Sequence, residues 1–241
     1  MRLIIIRHGD PDYANDTLTE KGWREAKLLA KRMAKERVDA MYVSSLGRAR
    51  DTASFTEEAL GMKAEVCEWL REFSYATVDL PYKKGTICWD LLPAFANTCE
   101  GIYSIDGWRD MPFIKESGLL SHFDRVIAEL DGLLARHGYE RDGYMYRVRE
   151  SSHKTLVLVC HYGVTAVLLS RMLNCSPFSI WQNAVTLPTS VTELTTEERE
   201  DGIASFRMSK MGDTSHLYVD DEPDSFSARF CECYKDDTRH T

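Results

Sequence analysis

No stretch of this chain stays apolar long enough to span a bilayer, so no membrane helix is expected. The opening residues, MRLIIIRHGDP, pick up charge too soon for a secretory signal. A basic balance is missing as well. The formal net charge is −8, which argues against a nucleic-acid-binding surface without excluding a locally basic pocket. The seven cysteines are odd in number and lack zinc-type spacing, and Cys231-x-Cys233 is too tight for a CxxC clamp. Free thiols in a cytoplasmic protein are therefore expected, with no structural metal. Neither an internal repeat nor a low-complexity segment occurs. An apolar fraction of 44% over 241 residues fits one large domain, or one domain with a sizeable insertion.

What is present alternates strand and helix. Leu3-Ile4-Ile5-Ile6 is a short β-branched run of the kind buried on both faces of a parallel sheet. Thr19 sits where a helix N-cap belongs, and Trp23, Ala26, Leu29 and Met33 recur behind it at helical spacing. Asp39–Ser44 reads as a strand, Leu46–Leu60 as a helix closed by Gly61, and Lys63–Trp69 as a third strand. From about residue 73 the rhythm breaks. A stretch rich in aromatics, prolines and glycines follows, then an amphipathic helix over Glu116–His137 and a polar turn region to about Lys154. Residues 73–150 are expected to form an inserted cap whose aromatics are its own core. Thr155–Cys160 is the most apolar strand and Val164–Leu173 a helix. Val191–Leu194 and Ile203–Met208 read as a hairpin joined by a charged loop over Thr195–Gly202. A loosely held polar tail is expected from about residue 220. This succession predicts an α/β fold, a three-layer α/β/α sandwich.

Two of these strands end alike, one in Arg7-His8-Gly9 and the other in His161-Tyr162-Gly163. If they are neighbours, both imidazoles reach the carboxyl edge of the sheet, where α/β folds bind ligands. The helix after His161 offers N-terminal amides to an anion. Arg48, in the helix after the second strand, would add another guanidinium. Two guanidinium forks and two imidazoles suit a phosphate dianion. Cys160 does not fit a cysteine-phosphatase loop, which needs arginine where Ala166 stands. His122 and His216 read as structural histidines.

The motifs Arg7-His8-Gly9, Leu18-Thr19-x-x-Gly22, Ser44-Ser45-Leu46-Gly47-Arg48, Leu70-Arg71-Glu72 and His161-x-Gly163 occur in one order along the chain. Together they resemble the histidine phosphatase superfamily, in its phosphoglycerate mutase-like branch. The resemblance implies that His8 is a nucleophile forming a phosphohistidine, and that Arg7, Arg48 and His161 hold the phosphoryl oxygens. It makes Glu72 the proton donor, and it requires no metal or other cofactor. Gly9 and Asn15 complete the implied phosphate-binding set, with Asn15 standing one residue beyond the family's asparagine position, here Ala14. Ser45 replaces a frequent proline. The Glu-Arg-His-Tyr-Gly run of the glycolytic mutases is absent, and the loop before Leu18 is shorter than theirs. A phosphatase acting on a small phosphorylated metabolite is therefore expected ahead of a mutase or a non-catalytic phosphate binder.

Overall fold

The computed structural model describes residues 1–227 and 230–240. In the amino-terminal part, β1 (Arg2–Arg7) is followed by the small ribbon β2 (Pro11–Asp12) and β3 (Thr17–Leu18). Next come α1 (Glu20–Met33), β4 (Ala40–Ser44), α2 (Gly47–Leu60) and β5 (Glu65–Cys67). Thr19 caps α1, its side chain accepting from the Gly22 N–H, and Gly61 ends α2 at φ +62°, a backbone state that favours glycine. The strand expected over Lys63–Trp69 is only three residues long, because Glu68–Leu70 tightens into a 3₁₀ turn.

Beyond Glu72 lie the hairpin β6 (Thr77–Leu80) and β7 (Lys83–Ile87), and the short helices α3 (Pro93–Ala96) and α4 (Pro112–Lys115). The chain then returns through α5 (Leu119–Arg136), β8 (Tyr139–Asp142), β9 (Met145–Val148), β10 (Thr155–Cys160), α6 (Tyr162–Leu173) and α7 (Pro177–Trp181). It closes with β11 (Val191–Glu200), β12 (Ile203–Asp213) and α8 (Ser215–Tyr218).

The main sheet has eight strands in the order β5-β4-β10-β1-β11-β12-β9-β8. Strands β5, β4, β10 and β1 run parallel, and β11 joins β1 antiparallel. Side-chain alternation on the two central strands builds two cores. Leu3, Ile5, Leu156 and Leu158 share one core with Leu130, Leu134 and Leu168 of α5 and α6. Ile4, Ile6, Val157 and Val159 pack with Leu29, Met33, Ala49 and Ala53 of α1 and α2. The result is the expected α/β architecture with helices on both faces.

Three segments differ from their sequence reading. The stretch expected as a cap is of two kinds: residues 73–118 form the short hairpin and helices, whereas β8–β9 extends the main sheet beside β12. Tyr139 and Tyr146, both buried, anchor that extension. The charged stretch Thr195–Glu200 is strand rather than loop, since its backbone pairs with β12 while its side chains are solvated. The tail from residue 220 is tied down at several points. Glu222 pairs with Lys21 and Arg24, Ser225 bonds the Asp10 carboxylate, and Phe230 is buried. Among the described residues no helix is long and apolar enough to cross a membrane.

Glu25 of α1 lies fully buried behind the loop that follows β1. One of its oxygens accepts from the Asp10 N–H at 2.8 Å, while Lys21 stands 3.9 Å from the other. Burial raises its pKa from 4.5 to about 7. A raised folded-state value means stability that is present below about pH 4.5 and is lost as pH rises through about 7. Glu25→Gln keeps an acceptor for Asp10 and removes the buried charge. The variant should match the wild type at pH 5 and exceed it by roughly 2–3 kcal/mol at pH 8, as read by urea unfolding at both values.

Candidate active site

Parallel pairing of β1 with β10 puts Arg7 opposite Cys160, so the residues after each strand emerge side by side. The His8 and His161 rings lie 5.0 Å apart, tilted by 57°, and both are buried. His8 Nδ1 is 2.7 Å from the Gly9 carbonyl. A carbonyl only accepts, so Nδ1 carries the hydrogen and Nε2 keeps its lone pair. Burial, with Arg7 and Arg48 close by, holds the His8 pKa well below the usual histidine range, which keeps the ring neutral.

His161 precedes α6 as its N-cap residue. Its Nε2 meets Ser44 Oγ at 2.8 Å, and its Nδ1 has no hydrogen-bond partner. Burial first, then His8 and the neighbouring guanidiniums, depress its pKa too. Ser44 ends β4, so three adjacent parallel strands contribute to one edge.

Arg7 is buried and spread over four partners. One Nη donates to the Thr186 carbonyl at 2.7 Å and the other to Ser227 Oγ at 2.9 Å. Its guanidinium carbon also lies 6.0 Å from the Tyr162 ring centre and 5.9 Å from that of Phe230. Arg48 donates to Asp16 at 2.5 Å, and Asp16 also accepts from the Gly47 N–H at 2.7 Å. A carboxylate thus sits on the first turn of α2, in the position a helix N-terminus favours for an anion. Asp16 adopts φ +48° to reach it.

Glu72 stands at the start of the cap. Its Oε1 accepts from the Phe73 N–H at 2.7 Å and from the Val164 N–H at 3.3 Å, fastening it to the first turn of α6. Burial outweighs these bonds and raises its pKa. With Oε1 taking two N–H groups, the proton of the neutral acid belongs on Oε2.

The structure therefore gathers Arg7, His8, Arg48, Glu72 and His161 at one sheet edge. Two expected contacts are placed otherwise. Asn15 is exposed and its amide is engaged with Asp12 at 2.7 Å. The Gly9 N–H donates to Thr52 Oγ1 at 2.9 Å, so Gly9 serves through its carbonyl on His8. Its lack of a side chain also matters: a Cβ there would lie 2.9 Å from the Gly22 carbonyl oxygen. His122 stacks on Phe73 with ring centres 4.3 Å apart, and His216 is buried with Nε2 3.2 Å from Thr189 Oγ1. Both fit structural roles. Asp16, Ser44, Thr186 and Ser227 were not singled out as site residues. Ser44 opens the motif that ends in Arg48 and Asp16 lies just before Leu18-Thr19, but Ser227 lies in a polar stretch without periodicity.

Comparison with known proteins agrees with this geometry. Residues 3–84 match the profile of the histidine phosphatase superfamily (branch 1). A putative phosphoserine phosphatase 2 of Hydrogenobacter thermophilus is 32% identical over 189 residues, covering 75% of this chain and 82% of that protein. A probable phosphatase of Schizosaccharomyces pombe is 23% identical over 90% of this chain and 95% of its own length. Among solved structures, a phosphoserine phosphatase mutant of Entamoeba histolytica in complex with phosphoserine superposes with TM-score 0.60 at 18% identity. That match covers 90% of this chain and 98% of the other. The ordered motifs, the shared fold and a relative matched along most of both lengths lead to one assignment: this chain belongs to the histidine phosphatase superfamily.

Proposed function

We propose that the chain is a phosphomonoester hydrolase that passes the phosphoryl group of a small phosphorylated metabolite through Nε2 of His8. The observation that carries this reading is the neutral His8 ring, pinned by Gly9 and set 5.0 Å from His161 beside two guanidiniums. In the first step the Nε2 lone pair attacks phosphorus, and the ester P–O bond breaks opposite it. The leaving oxygen takes the electron pair and the Glu72 proton. In the second step water attacks the phosphohistidine and gives a proton to the Glu72 carboxylate. The P–N bond then breaks, returning its pair to Nε2. Arg7, Arg48 and His161 meet the oxygens as charge builds on them.

In this scheme Arg48 must exchange part of its contact with Asp16 for phosphate. Arg48→Ala should lower kcat/KM about 10²–10³-fold, the usual loss when one preorganised donor to a transition-state oxyanion is removed. Hydrolysis of para-nitrophenyl phosphate, followed with EDTA present throughout, tests the whole reading. Steady turnover unaffected by the chelator is expected, since protein cations meet the phosphate charge. Loss of activity on chelation would overturn the scheme.

A further inference from the structure

The cap aromatics are mostly accounted for by their own packing. Phe73 lies against His122 and Trp181, Trp108 against Phe123 and Phe178, and Phe95 between Tyr82 and Phe113. Trp89 is different. Its ring leaves the cap and rests on the first turn of α6, edge-on to Tyr162 with ring centres 5.5 Å apart. A Cβ built on Gly163 would lie 2.1 Å from Cζ3 and 2.6 Å from Cη2 of Trp89, and 2.6 Å from Glu72 Oε1. The six-membered ring of the indole and the Glu72 carboxyl are therefore neighbours across the bare Cα of Gly163.

This ring is held in place. Cys88 before it is fully buried, and the Cys88 carbonyl accepts from Gln182 Nε2 at 3.0 Å. The Asp90 N–H closes a turn onto the Ile87 carbonyl at 3.0 Å. Trp89 itself stays partly exposed. A large apolar ring is thus fixed beside the proposed proton donor, with part of its surface open.

In-line displacement puts the leaving oxygen opposite the attacking nitrogen, within hydrogen-bond reach of the acid that protonates it. The alcohol part of the substrate then extends past Glu72 and meets Trp89. Of the cationic side chains near these two residues in sequence, Arg71 pairs with Glu68 and Lys83 with Asp90, while Lys84 is exposed. What stands directly against Glu72 on that side is the aromatic wall of Trp89.

We infer that Trp89 is a specificity-determining residue, selecting phosphomonoesters whose alcohol presents a flat apolar face close to the ester oxygen. The inference rests on the phosphatase reading above for the direction in which the leaving group points. Gly163 belongs to the same device, because any side chain there would drive Trp89 away from Glu72.

The test compares benzylphosphonate with methylphosphonate, two non-hydrolysable ligands that differ by a phenyl ring, with Kd measured by calorimetry. Wild type should bind the benzyl compound about tenfold more tightly or better, and Trp89→Ala should bring the ratio close to one. The ratio cancels any general weakening of phosphonate binding. Where Trp89→Ala fails to fold, Trp89→Leu decides, since it keeps apolar bulk on α6 without a flat ring and should lose most of the preference. A wild-type ratio near one, or a ratio unchanged in Trp89→Ala, overturns the inference. Binding is read apart from turnover, so a protein that shows the benzyl preference but never hydrolyses an ester would sink the phosphatase reading alone.

Discussion

His8→Ala should lose on the order of 10⁴–10⁶ in kcat, the scale seen when the nucleophile of a covalent mechanism is removed. The size of the loss follows from the geometry. In the proposed scheme Nε2 is the atom that bonds phosphorus, and Gly9, Arg7 and Arg48 all act on the state of that ring. His161, 5.0 Å away, has its Nε2 engaged with Ser44. The check is to pair steady-state assays with rapid acid-free quenching of enzyme mixed with labelled substrate. Wild type should carry an acid-labile phosphoryl label, and His8→Ala should carry none. Retention of more than a trace of either activity or label in the variant would remove His8 from the centre of the mechanism.

The second large effect belongs to Glu72→Gln, and it depends on the substrate. A leaving alkoxide needs a proton in the transition state, whereas nitrophenolate departs well without one. Loss of the acid should cost about 10²–10⁴-fold with alkyl phosphates and much less with para-nitrophenyl phosphate. Equal losses would refute the assignment.

The pH profile gives an independent reading. The proposed mechanism requires His8 neutral and Glu72 protonated. Unperturbed, those two requirements overlap poorly, because histidine ordinarily titrates above a carboxylic acid. Burial shifts both groups in the helpful direction, His8 well down and Glu72 up. For alkyl phosphates kcat should therefore rise as pH climbs through the lowered His8 value and fall as pH passes the raised Glu72 value. In Glu72→Gln the alkaline fall should disappear.

Much of this site is legible in the sequence. The strand-end histidines, the capped α1 and the α2 that carries Arg48 all follow from local pattern, with Thr19 and Gly61 marking helix ends by their own chemistry. What stayed hidden depends on pairing between distant segments. Tyr139–Val148 mixes its apolar residues with charged ones and a glycine and reads as a polar turn, yet the hairpin forms because Tyr139 and Tyr146 turn inward and β9 finds β12. Charged Thr195–Glu200 gives no strand pattern, since neither face there is covered by a core. The tail gives less signal still, with Ser225, Ser227 and Phe230 acting singly from a polar stretch. Asn15 and Gly9 show the converse limit: position within a motif did not reveal that Asp12 and Thr52 would claim their hydrogen bonds.

The seam at the centre of the sheet has a consequence for how the protein comes into being. Strand β1 is flanked by β10 and β11, partners that lie far along the chain, so its neighbours arrive only after most of the polypeptide exists. Closing so long a loop must be paid for in entropy before the pairing returns anything, which makes such contacts slow to form. His8 therefore spends most of translation without His161, and Arg7 without Thr186. No early fragment contains the pocket. Assembly of the site marks the completion of folding, and a partly made chain does not yet hold the two histidines together.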